Sequence, residues 1–130
     1  MGNLIAFGFD RSWAANEVLN RVRTETTVED AFVVERSASG RCIMRRDPKA
    51  AGAFDPYTSR LWREMARLLF LNTYLDLAMP RGGSALFIQV KDAMESRILR
   101  ALKPYRGRIL STSLPREAEQ RLKAGVNKAA

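Results

Sequence analysis

The chain contains no histidine. That removes the commonest general base and the commonest metal ligand together. The remaining residues able to do chemistry are few and scattered. Asp10 follows an apolar run, where a catalytic carboxylate can stand. It equally suits the cap of a helix that begins there, and that is the plainer reading. Asp30 and Glu35 have no second carboxylate at a predictable distance. Ser111, Thr112 and Ser113 lack a histidine to activate them. Cys42 is the sole cysteine, with Arg41 and Arg45 nearby. Cations favour thiol reactivity, but a half-buried strand cysteine explains the residue as well. A zinc site would have to be built from that cysteine and carboxylates, a donor set that zinc rarely uses. Arg81-Gly82-Gly83-Ser84 is glycine-rich, yet it leads into a strand-like run, the wrong context for a phosphate loop. It reads as a hinge. The expectation is a chain without catalytic, metal-binding or cofactor-binding residues.

The elements that would position any site repeat a pattern. Apolar residues 4–9 precede a helical run over 12–23 and a second apolar run over 31–35. Residues 85–90, 93–103 and 108–112 do the same again. Strands 4–9 and 85–90 are apolar on both faces, as central strands under helices are. Trp13, Ala14, Val18, Leu19 and Val22 recur at helical spacing, and so do Met94, Ile98, Leu99 and Leu102. Ser37-Ala38-Ser39-Gly40 is a turn cluster, so 41–46 should return as a hairpin arm. Its arginines suit an exposed edge, where charge discourages strand pairing. A strand–helix–strand unit used twice is the ground plan of a ferredoxin-like α+β sandwich. The right-handed crossover rule then predicts the order 108–112, 4–9, 85–90, 31–35, with 41–46 added at the outer edge. Helices 12–23 and 93–103 should cover one face. The whole chain, 1–130, reads as one domain, with 47–83 a helical insert and 115–130 a C-terminal helix.

The net charge is +8. It is unevenly spread: residues 1–40 are net acidic, and 41–90 and 91–130 are net basic. Arginine outnumbers lysine, which suits planar recognition of phosphate or carboxylate. One cysteine cannot form a disulfide within the chain and fits a reducing compartment. The opening residues carry no positive cluster before a long apolar core, so no secretory leader is expected. The most apolar stretch, 68–79, holds Asn72, Thr73 and Asp76 and is too short and polar to span a bilayer.

Asp55-Pro56 is a good helix start, and the helix should stop before Pro80. Its two halves differ. Arg60, Arg63, Glu64 and Arg67 share one side of the first half, and the polar residues of the second half lie nearly opposite. Such a helix bends or is clasped by two surfaces. A second protomer would supply the other surface, with Leu61, Trp62, Met65, Leu69, Phe70 and Tyr74 as the expected self-association residues. Packing on the sheet's second face within a monomer is the plain alternative. Peripheral membrane contact is a third reading, since arginines beside an apolar face resemble an interfacial helix.

The C-terminal third carries a resemblance. Gly83-Ser84-Ala85-Leu86-Phe87-Ile88, Ile98-Leu99-Arg100-Ala101-Leu102-Lys103-Pro104-Tyr105 and the run from Gly107 to Leu114 resemble the end of a bacterial family of unknown function. It is number 1269 among domains of unknown function and is often labelled a predicted membrane protein family. Asn3-Leu4-Ile5-Ala6-Phe7-Gly8-Phe9-Asp10 and the helix beginning Ala14-Ala15-Asn16 are similar to its start. Members usually carry a glycine-rich apolar hairpin in the middle. Here the arginine-bearing insert stands in that place. The resemblance implies the fold and supplies no catalytic residues.

The resulting expectation is a non-catalytic interaction or assembly module of the bacterial cytoplasm that forms homo-oligomers through the 57–79 helix or a sheet edge. The alternative is a nucleic-acid-binding protein. A ferredoxin-like sheet binds RNA when open-face aromatics stack on bases. Phe7, Phe9, Phe32 and Phe87 lie on expected strands, and Arg45, Arg46, Arg106 and Arg108 would form the basic rim.

Overall fold

The computed structural model describes residues 3–46, 63, 67, 79–91, 95–105, 107–112 and 116–129. The fold is α+β. Strands β1 (Asn3–Phe9), β2 (Val28–Arg36), β3 (Cys42–Arg46), β4 (Ser84–Val90) and β5 (Arg108–Thr112) form one sheet. Helix α1 (Ala14–Glu25) joins β1 to β2. Helix α2 (Glu95–Leu102) and a 3-10 turn (Lys103–Tyr105) join β4 to β5, and α3 (Arg116–Ala129) follows. The strand order is β3-β2-β4-β1-β5, and every neighbouring pair is antiparallel. This is the succession expected from the sequence. Its outer strand β3 makes it more than the order of a simple ferredoxin-like sheet.

Strand alternation divides the core in two. Ile5, Phe7 and Phe9 of β1, Ala31 and Val33 of β2, and Leu86, Ile88 and Val90 of β4 face α1 and α2. There they meet Ala15, Val18, Leu19 and Val22 of α1 and Ile98, Ala101 and Leu102 of α2. The opposite face carries Leu4, Ala6, Phe32, Val34, Ala85 and Phe87, packed with Met79, and it is buried as well. A register shift in the β1–β5 pair falls between Ala6 and Phe7. Ile109 consequently packs on the helical side and Leu110 on the other.

The start of α1 departs from expectation. Asp10 does not cap it: the cap position is Trp13, with no side-chain hydrogen bond. The buried hydroxyl of Ser84, on β4, does that work across the fold. It accepts from the Ala15 N–H at 3.1 Å and donates to the Arg11 carbonyl at 2.6 Å. The first bond is buried and the second partly buried. We expect Ser84→Ala to cost about 1–3 kcal/mol, read as a lower denaturation midpoint in urea. A shift of the size usual for exposed positions would show that the cap is dispensable.

Three further corrections arise from packing. Trp13 precedes the helix, so it leaves the apolar stripe and stands 54% exposed. Strand β2 starts at Val28, ahead of the expected 31–35, because Val28 pairs with Val90 and a bulge absorbs the step to Asp30. The Arg81-Gly82-Gly83 return is a built turn rather than a hinge. Gly82 has φ 82°, the Gly83 N–H donates to the Pro80 carbonyl at 2.8 Å, and the Gly82 N–H donates to the Arg36 carbonyl at 2.9 Å.

Within the insert, Arg63 and Arg67 are helical and exposed. The expected self-association residues Leu61, Trp62, Met65, Leu69, Phe70 and Tyr74 lie outside the described residues, as does Arg106. No helix among the described residues is long and apolar enough to cross a membrane.

Candidate functional site

The groove at the start of α1 gathers polar and aromatic side chains from two turns. Asp10, Arg11, Trp13 and Ala14 come from the β1–α1 turn, and Pro104 and Tyr105 from the 3-10 turn after α2. Together they line an open cavity of about 700 Å³. Packing of α1 against α2 brings the two turns side by side, supported by an Arg97 side chain donating to the Glu25 carbonyl at 3.1 Å.

Tyr105 is fixed on three sides. Its hydroxyl donates to the Glu17 carboxylate at 2.9 Å and accepts from Arg21 Nε at 2.9 Å. The Arg21 guanidinium lies 5.3 Å from the ring centroid, a cation–π distance. The Trp13 ring meets the Tyr105 ring edge-on, with centroids 6.1 Å apart and planes at 73°, a favoured aromatic arrangement. Asp10 is paired with Arg108 at 2.8 Å. Both carboxylates at the groove and the phenol are thus engaged within the protein. An exposed indole and the exposed Arg11 guanidinium are left to meet a visitor. Those groups stack and pair with anions.

The helix N-terminus behind the groove is not a free anion cradle. The Ala14 N–H donates to the Arg11 carbonyl at 3.3 Å, the Ala15 N–H to Ser84, and the Glu17 N–H to the Trp13 carbonyl at 3.3 Å.

Residues 70–127 match the family described as "Protein of unknown function (DUF1269)". The match covers the C-terminal part of the chain. No curated protein and no solved structure matches the chain. The DUF1269 match takes in β4, α2 and β5. It therefore supplies Pro104, Tyr105 and Arg108, while Asp10, Arg11 and Trp13 precede it.

The sheet distributes the four arginines of the expected basic rim. Arg45 and Arg46 belong to β3 and Arg108 to β5, the two outermost strands. Four strand spacings separate them, about 19 Å. Arg45 is ion-paired with Glu35, and Arg108 with Asp10. Phe7, Phe9, Phe32 and Phe87 are all buried, so none offers a base an open ring on the sheet. Cys42, expected half-buried, is exposed because its strand is the sheet edge.

Sequence reasoning missed the groove. By spacing Trp13 reads as core, and Tyr105 sits after Pro104 at the end of a helix. A tryptophan one residue before a helix start is the signal that could have marked an exposed ring.

Proposed function

We propose that the chain is a non-catalytic interaction module that assembles with copies of itself, on a ferredoxin-like sandwich widened by β3. The observation that carries this reading is the edge strand. Ile43 is 53% exposed and Met44 47% exposed, on opposite faces of β3. Apolar side chains exposed on an outermost strand are a template for another strand.

The arginines that should guard this edge are less of an obstacle in three dimensions. Glu35 pairs with Arg45 across the β2–β3 ladder and offsets its charge. An antiparallel β3–β3 pair centred on Met44 sets Arg45 opposite Ile43 of the second copy and Arg46 opposite Cys42. No arginine then faces another, so the like-charge cost of direct cross-strand pairs is avoided.

The test is the solution mass by light scattering, for the native chain and for Met44→Lys. The native chain should be a dimer or larger, and the lysine variant a monomer with unchanged circular dichroism. A native monomer at high concentration overturns the assembly reading. An oligomer that Met44→Lys leaves intact overturns the β3 edge and favours Leu61, Trp62, Met65, Leu69, Phe70 and Tyr74 as the contact.

A further inference from the structure

We propose that the groove between the β1–α1 turn and the 3-10 turn binds a nucleotide, its base stacked on Trp13 and its phosphate paired with Arg11. This is independent of self-assembly through β3.

Three observations converge. First, Trp13 is among the large apolar side chains left exposed, and its ring is held in place by contact with Tyr105. Tyr105 in turn is fixed by Glu17 and Arg21. A ring already oriented loses little freedom when a base stacks on it, and base–aromatic stacking is a main source of affinity in such sites. Second, the charges are asymmetric in their availability. Asp10 is taken up by Arg108 and Glu17 by Tyr105. Arg11 is exposed and forms no side-chain hydrogen bond or ion pair among the described residues. Lys103, also exposed, opens the turn that supplies Pro104 and Tyr105. The groove therefore presents uncompensated positive charge beside an open ring, which complements an anion attached to a planar group. Third, its volume of about 700 Å³ lies in the range of small-molecule sites.

A cation is the wrong occupant. The Tyr105 ring already carries Arg21 at 5.3 Å, and a cation on the open Trp13 ring would meet the exposed Arg11. A carboxylate-rich ligand without a ring would use Arg11 and leave Trp13 idle.

The same chemistry can come from a free nucleotide or from the nucleotides of a single strand, so the experiment has two arms. The native chain is titrated calorimetrically with adenosine monophosphate and with a short single-stranded RNA, with inorganic phosphate as the ringless control. Saturable binding is expected in at least one arm, stronger than to phosphate and weakened by salt. Binding to RNA alone would assign the site to strands, and binding to both would assign it to the nucleotide unit. Arg11→Ala and Trp13→Ala should each weaken it by about tenfold or more. Trp13→Ala removes a contact to Tyr105, so its fold is checked by circular dichroism. Arg11→Ala breaks no side-chain hydrogen bond or ion pair among the described residues and decides the matter if the other variant unfolds. Absence of saturable binding in both arms, affinity equal to that for phosphate, or affinity unchanged in Arg11→Ala would each overturn the proposal.

Discussion

Phe7→Ala should destabilise the fold by about 3–5 kcal/mol. Phe7 lies in the inner part of β1 and is fully buried. Its backbone pairs with Leu86 on one side and Ile109 on the other. Its ring points into the layer beneath α1 and α2, among Val18, Leu19, Leu86 and Ile98. The space left by the ring cannot close easily, because β1 is held by strands on both flanks. Cavities in such rigid settings sit at the costly end of the large-to-small range. A domain of this size has about 5–15 kcal/mol in total, so the variant should be marginal. The check is urea denaturation, with a lowered midpoint at unchanged slope. Phe7→Leu, which keeps most of the volume, should recover most of the loss. A cost under about 1 kcal/mol, the ordinary value for a point substitution, would mean that this layer is not packed as described.

Gly83→Ala should be nearly as damaging, at about 3 kcal/mol, while Gly82→Ala should be milder. A Cβ at Gly83 would stand 2.5 Å from the Phe9 carbonyl oxygen and 2.8 Å from that of Pro80. Both are backbone atoms and cannot swing aside as a flexible side chain does. Gly83 itself is pinned, since its carbonyl accepts from the Arg36 N–H at 3.0 Å and its N–H donates to Pro80. Relief would have to pull the first residue of β4 away from Phe9, its partner in the β1–β4 pair. Gly82 poses a different problem. It has φ 82° and nothing within 4 Å of its added Cβ. The cost there is only that of a left-handed backbone, roughly 1–2 kcal/mol. Thermal or urea melts of the two single variants give the order directly. A Gly82 variant less stable than the Gly83 variant would refute the close approach.

The two glycines show what a linear reading could and could not reach. Side by side in the sequence they read alike, as a loose return to β4. Only the approach of Phe9, seventy-four positions earlier in the chain, makes one of them a packing site. Ser84 gives the same lesson. Its neighbours mark a strand start, and nothing local says that its hydroxyl caps a helix. Asp10 was legible as a cap by type and position, but the ion pair with Arg108 draws it elsewhere. Trp13 fitted the helical stripe by spacing, yet lies just outside the helix, where the stripe no longer applies.

The sequence by itself determined the element order, the strand succession and the helical face of the sheet. Those follow from the period of the apolar residues and from chain handedness, which are local or nearly local properties. It also determined the absence of imidazole chemistry and the basic excess. The tertiary structure alone decided which charges are neutralised, since Arg45–Glu35 and Arg108–Asp10 are contacts between elements. It alone decided that the strand phenylalanines are buried and that Trp13 with Arg11 is left open. Pairing and exposure depend on what comes near in space, and the intervals between residues along the chain do not encode that distance.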